Sequence, residues 1–196
     1  PQQFDKLVEM LHPHLNGSEV IISMMAGKNV EVIGKKLKAS KIIRVMPNTP
    51  SKIGKGVHLL YFSPSVNSSE QSFVEELFSS SGELFVFQNE DQIDLVTPHC
   101  GSGPAFVFEL ARILIADLEE KGISRVGAEK MIKYMLYGAS SLLLNSTDSP
   151  VELRNMVTSK GGVTAEALDV LEKGNLEEVF KTAIRKAHKR AKDLSY

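Results

Sequence analysis

What most constrains this chain is a change of pattern near residue 97. Before it, short apolar runs alternate with helical stretches; after it, every apolar stripe has helical spacing. Glu19–Met25 (EVIISMM) reads as a buried strand that ends at Ala26-Gly27, and 30–37 reads as a helix. Lys41–Met46 reads as a second strand, stopped by Pro47-Asn48-Thr49-Pro50, because prolines cannot continue a ladder. Gly56–Phe62 and Glu83–Phe87 complete the strands, with a helix across Ser69–Ser80 between them and another across Phe4–Leu15 ahead of them. Strands spaced by helices of this size imply βα units on a mainly parallel sheet.

The second half reads as all-helical. Pro104–Lys121 carries Phe106, Val107, Leu110, Leu114 and Leu118 on one stripe, with proline in the first turn and Gly122 at the exit. Ser124 starts a second long helix through Met131, Met135, Leu142 and Leu143. Ser149-Pro150-Val151-Glu152 is a capping box with proline at N1, and Asn175-Leu176-Glu177-Glu178 suggests the same for a last helix running to about Asp193. The fold class expected is therefore α/β followed by all-α, divided as 1–96 and 97–196.

Composition excludes several functions. The chain has 196 residues, 42% hydrophobic and 24% charged, which is rich enough for a core and too balanced for disorder. A formal net charge of −1 argues against a nucleic-acid binder. The cations of the last helix, from Lys181 to Lys192, read as a solvated face. No apolar run reaches the ~18 residues of a membrane span. One cysteine, Cys100, precludes an internal disulfide framework and suits a cytoplasmic location. The chain opens Pro1-Gln2-Gln3 without an initiator methionine, so a processed start or a piece of a longer chain is expected.

Candidate chemistry begins with motifs that do not hold. Gly101-Ser102-Gly103 lacks the third glycine of a dinucleotide fingerprint and the spacing of a nucleophile elbow; a tight entry into a helix is the better reading. His99 and Cys100 are adjacent and have no companion cluster, so no metal site is expected. Thr158 to Thr164 (TSKGGVT) is more informative. Hydroxyls and glycines ahead of a helix expose backbone N–H groups that can hold a carboxylate. The same residues also suit a plain helix–helix turn with Thr164 as its N-cap, and local chemistry leaves the two readings equal.

Taken in order, Arg44-Val45-Met46-Pro47-Asn48-Thr49-Pro50, Gly101-Ser102-Gly103-Pro104-Ala105-Phe106, and the run from Glu152 to Thr164 (ELRNMVTSKGGVT) resemble the pyrroline-5-carboxylate reductase family over essentially the whole chain. The resemblance implies hydride transfer from NADPH or NADH to the imine of 1-pyrroline-5-carboxylate, giving L-proline. It implies a partial Rossmann-like sheet domain followed by a helical domain that dimerises with a second copy, and many members of the family build larger rings of dimers. Carried over by motif, Ala26 and Gly27 line the cofactor cleft, and Met46, Pro47, Asn48 and Thr49 flank nicotinamide and ribose. Thr97 lies near the nicotinamide and the substrate ring. Ser159, Gly161, Gly162, Val163 and Thr164 receive the substrate carboxylate, with Thr164 at the ring nitrogen. Hydride transfer needs alignment more than protein functional groups, which fits a chain with no metal cluster and no triad.

There are departures from the family pattern. Lys160 stands where the family usually has proline, and Pro98-His99-Cys100 is unusual before Gly-Ser-Gly. The family's glycine-rich first turn, which cradles the diphosphate, is not in this sequence; Pro1-Gln2 resembles a point after a middle strand. Poor dinucleotide binding by this chain alone is the expectation, and a non-catalytic dimerisation or regulatory relative is the alternative. A reductase of a related cyclic imine or keto acid is a third reading.

Overall fold

A computed structural model describes residues 3–193. The Pro1-Gln2 reading lies outside the described residues. The chain forms two compact units. One runs from the start of the described chain to Pro104 and includes the segment from Ala183 onward; the other is Ala105–Thr182.

In the first unit α1 (Phe4–Leu11) is shorter than expected, because Pro13 has no N–H to continue an α-helix and His12–His14 tightens into a 3₁₀ turn. Then come β1 (Val20–Ser23), α2 (Val30–Leu37), β2 (Lys41–Pro47), β3 (Gly56–Phe62), α3 (Ser68–Ser79), β4 (Gly82–Val86) and α4 (Asp91–Cys100). The sheet order is β1-β2-β3-β4. β1 pairs β2 in parallel, with Ser23 opposite Arg44, and β3 pairs β4 in parallel. β2 and β3 are antiparallel, with Pro47 opposite His58. The reason is the short connection: a 3₁₀ turn over Thr49–Ile53 returns the chain directly, whereas a parallel pair needs a helical crossover.

Side chains of β2 alternate between two cores. Ile42 packs with Phe4, Ile33 and Leu37 from α1 and α2. Ile43 and Val45 point the other way and pack with Leu60 and Val74. Arg44 shares the parity of Ile42 and is buried. α3 is started by a capping box in which Asn67 and Glu70 each satisfy the other's backbone N–H.

The second unit contains most of α5 (Gly103–Glu120), then α6 (Arg125–Asn145), α7 (Pro150–Met156), α8 (Val163–Lys173) and the first part of α9 (Leu176–Asp193). Ser149 and Glu152 make the expected reciprocal cap of α7. Asn175 precedes α9 with a left-handed φ of 54° that turns the chain out of α8, and its carbonyl accepts the Val179 N–H at 3.0 Å as the helix begins. On α9, Lys181 pairs with Glu177, and Lys189 with Asp193 at 3.1 Å, which is the solvated face anticipated for these cations. Within Ala105–Thr182 only Ala128 is buried. Phe108, Met131 and Leu142 are 63%, 53% and 56% exposed, so the apolar stripes do not hide one another. Among the described residues no helix is long and apolar enough to cross a membrane.

Candidate functional site

The first unit brings its site residues to one edge of the sheet. β1 and β2 run in parallel, so Ala26-Gly27, just past β1, and Met46–Thr49, which closes β2 and continues beyond it, lie at carboxyl ends of strands on the same edge. That edge is where open α/β sheets take ligands. Thr97 joins them through α4. The helix was not anticipated from sequence, and Pro98 inside it, with a capless start at Glu90, explains why. The Asn48 side chain donates from Nδ2 to the Cys100 carbonyl at 2.9 Å and accepts the Val57 N–H at Oδ1, also at 2.9 Å. The loop after β2 is thereby fastened to the end of α4, one turn beyond Thr97.

Two of these side chains are already committed. The Asn48 carboxamide has one protein partner at each end, and the Thr97 hydroxyl donates to the Ile93 carbonyl at 2.7 Å. Thr97 Oγ1 keeps only acceptor capacity. The start of α2 is also occupied. Asn29 Oδ1 accepts from Val32 N–H at 2.8 Å, and Glu90 Oε1 accepts from Val30 N–H at 2.7 Å. A carboxylate already sits at the positive end of this helix, so α2 is no diphosphate site.

The Thr158–Thr164 stretch belongs to the second unit. Thr158 ends α7 by donating its hydroxyl to the Arg154 carbonyl at 2.6 Å. The chain then turns through Gly161, whose φ of +69° is costly for any residue with a Cβ. Gly162 N–H donates to the Ser159 carbonyl at 3.0 Å, and a Cβ on Gly162 would collide with Ser159 Oγ. Gly162 is the N-cap of α8, in extended backbone with no side-chain cap bond. Thr164 is therefore the second helical residue and not the cap, because glycine takes the cap position at little cost. The first turn of α8 keeps its N–H groups free of any side-chain cap, and Ser159 Oγ lies over it. That arrangement can receive a carboxylate. A cavity of about 470 Å³ in this unit is lined by Arg154, Thr158, Leu171 and Glu172 among others, and none of Ser159 or Gly161–Thr164 lines it.

Comparisons with known proteins point to one family. Residues 90–194 match the family model for pyrroline-5-carboxylate reductase dimerisation. A pyrroline-5-carboxylate reductase of Staphylococcus saprophyticus subsp. saprophyticus is 33% identical over 196 residues, covering 100% of this chain and 72% of the relative. The structure of a pyrroline-5-carboxylate reductase from Coxiella burnetii superposes with a TM-score of 0.87 at 36% identity, over 100% of this chain and 73% of that one. The Plasmodium falciparum pyrroline carboxylate reductase, solved with NADP bound, superposes with a TM-score of 0.92 at 27% identity, over 100% of this chain and 79% of that one.

Proposed function

The chain belongs to the pyrroline-5-carboxylate reductase family, and from that premise we propose how its residues divide the work of the family's reaction. The activity is reduction of the imine of 1-pyrroline-5-carboxylate to L-proline, the last step of proline biosynthesis. The protein is an oxidoreductase with a nicotinamide cofactor, and it forms homodimers through its helical part. Its likeness to named reductases extends over its whole length, so the non-catalytic alternative is not favoured.

The finer assignments are our reading. Residues 1–96 serve the cofactor and 97–196 serve substrate and dimer. The bound nicotinamide, of NADPH or NADH, supplies the hydride. Ala26, Gly27, Met46, Pro47 and Thr49 form the wall against which it lies, and Asn48 and Thr97 set the shape of that wall. Ser159 and the N–H groups of Val163 and Thr164 hold the substrate carboxylate against the positive end of α8, and Gly161 and Gly162 shape the loop that admits it. The Thr164 hydroxyl hydrogen-bonds the ring nitrogen and keeps the imine carbon facing the donor. Dimers assemble further into a ring, and the protein works in the cytoplasm.

The observation that carries the substrate assignment is the uncapped first turn of α8, closed on one side by Ser159 over Gly162. The full-length protein should oxidise NADPH or NADH when 1-pyrroline-5-carboxylate is added. Absence of turnover above background with either cofactor would refute the function.

A further inference from the structure

The stretches Ala26-Gly27, Met46–Thr49 and Thr97 reach the cofactor edge from three different elements, and one set of polar contacts joins all three. Arg44, at the middle of β2, has a side chain only 3% exposed. Its Nη2 donates to Asp94 Oδ1 at 2.9 Å, and its Nη1 donates to Glu90 Oε1 at 3.0 Å and Asp94 Oδ2 at 3.3 Å. The same Glu90 oxygen accepts the Val30 N–H, so the cluster also reaches the first residue of α2, just behind Gly27. Four residues further on, just past the end of β2, Asn48 holds the Cys100 carbonyl at the other end of α4.

α4 is thus held twice from one strand, near its start by Arg44 and at its end by Asn48, and Thr97 lies between the two holds. The spacing is consistent. Arg44 to Asn48 spans about 13 Å of strand, Asp94 to Cys100 spans about 9 Å of helix, and the long arginine side chain covers the difference.

Stability alone does not account for the cluster. Desolvating a buried ion pair costs about as much as the attraction returns, and apolar replacements of similar volume are often neutral or better. The charges here show that tension. Burial pushes the Glu90 carboxyl above its ordinary range, against the pull of Val30 N–H and Arg44. Burial also works against the Arg44 charge, but Asp94 and Glu90 together outweigh it and hold the guanidinium protonated. The two directions agree with the geometry: Arg44 has two carboxylates to face, whereas Glu90 shares its one cation with Asp94. What the cluster does supply is a fixed register between helix and strand.

We propose that Arg44 and Asn48 are positioning residues for the hydride transfer, clamping α4 to β2 so that Thr97 and Gly101-Ser102 are set at one place against the loop Met46–Thr49. Glu90 extends the same frame to the start of α2. This deepens the reading of the cofactor site given under the proposed function and rests on it. Neither residue donates to or accepts from the reacting atoms. Their effect is to shorten the search for a productive arrangement.

The test uses Asn48→Ala and Asn48→Asp in the whole protein, with amide hydrogen exchange and steady-state kinetics read side by side. Asn48→Asp replaces the donor to Cys100 with an acceptor. Exchange in 97–103 should quicken by about tenfold or more in both variants while the ladder between β2 and β3 stays protected, since the lost bond holds the helix end. kcat should fall about 10- to 100-fold with KM for the imine nearly unchanged, as misplacement without loss of binding does. Unchanged exchange in 97–103 overturns the clamp, and faster exchange with an unchanged kcat overturns its role in the reaction. For the arginine, Arg44→Met alone leaves two buried acids unpaired and is expected to unfold. The neutral set Arg44→Met, Glu90→Gln and Asp94→Leu keeps the volume, and it should fold with lowered kcat; a folded set with wild-type kcat overturns the proposal. If the wild-type protein itself does not turn over the imine, the functional reading fails, and the exchange measurement still decides whether the clamp exists.

Discussion

His58 Nε2 lies 2.9 Å from Ser81 Oγ, and the serine gives its own hydroxyl proton to the Phe78 carbonyl. The bond between them therefore runs from the imidazole N–H to the serine oxygen, which leaves Nδ1 as a bare acceptor. Nδ1 has no partner, and the ring is 1% exposed with Phe78 against it at 5.4 Å. Burial depresses the histidine pKa below its ordinary 6.5. The unfolded chain then takes up a proton before the folded one does, so this residue's contribution is intact above pH 6.5 and is lost as pH falls below it. Urea midpoints measured from about pH 7 to pH 5 should drop more steeply for wild type than for His58→Phe. Parallel curves would show that His58 does not set the slope.

Thr164 is the residue proposed to lie nearest the reacting bond. Thr164→Ala is expected to lower kcat by roughly 10- to 100-fold, as loss of one aligned hydrogen bond does, with the cofactor KM unchanged. Thr164→Ser should recover most of the rate and Thr164→Val should not. A valine variant with wild-type turnover would remove the hydroxyl from the mechanism.

The turn ahead of α8 should show non-additive behaviour. Gly161→Ala meets open space but must hold a left-handed φ, which costs about 1 kcal/mol. Gly162→Ala meets Ser159 Oγ instead. Removing that oxygen with Ser159→Ala should relieve part of the damage, so the double variant is more stable than the sum of the singles predicts. Thermal unfolding at one fixed protein concentration measures this; strict additivity would mean that Ser159 does not lie over the glycine.

Exposure of the α5 and α6 stripes predicts a dimer held by apolar contact. Sedimentation should find dimer down to micromolar protein, and raising the salt should not release monomer, since screening weakens charge pairs and not apolar burial. A salt-sensitive monomer would contradict the assignment.

Much of this was legible in sequence because it is local. The strand runs, the Ser149–Glu152 cap and the two long stripes each declare themselves within a few residues. α4 was missed because its start has no capping residue and Pro98 interrupts its last turn. The antiparallel return of β3 was missed too, although the short connection after Pro47 carried the signal. The site was legible as motifs but not as geometry. Nothing near Asn48 in sequence announces that its carboxamide is spent on Cys100, and nothing near Arg44 announces Glu90 and Asp94. Those partners lie 46 to 52 residues away and meet only through the sheet.

The antiparallel return of β3 also bears on the order in which the chain folds. The Asn48–Val57 bond closes across 9 residues, within a hairpin, whereas the Asn48–Cys100 bond closes across 52. The longer closure costs about 1.5 kcal/mol more in chain entropy. One end of the Asn48 amide is therefore matched while the hairpin forms, in microseconds, and the other waits for β4 and α4 to arrive. The loop after β2 is thus assembled from its turn outward, and its hold on α4 locks after the hairpin has formed.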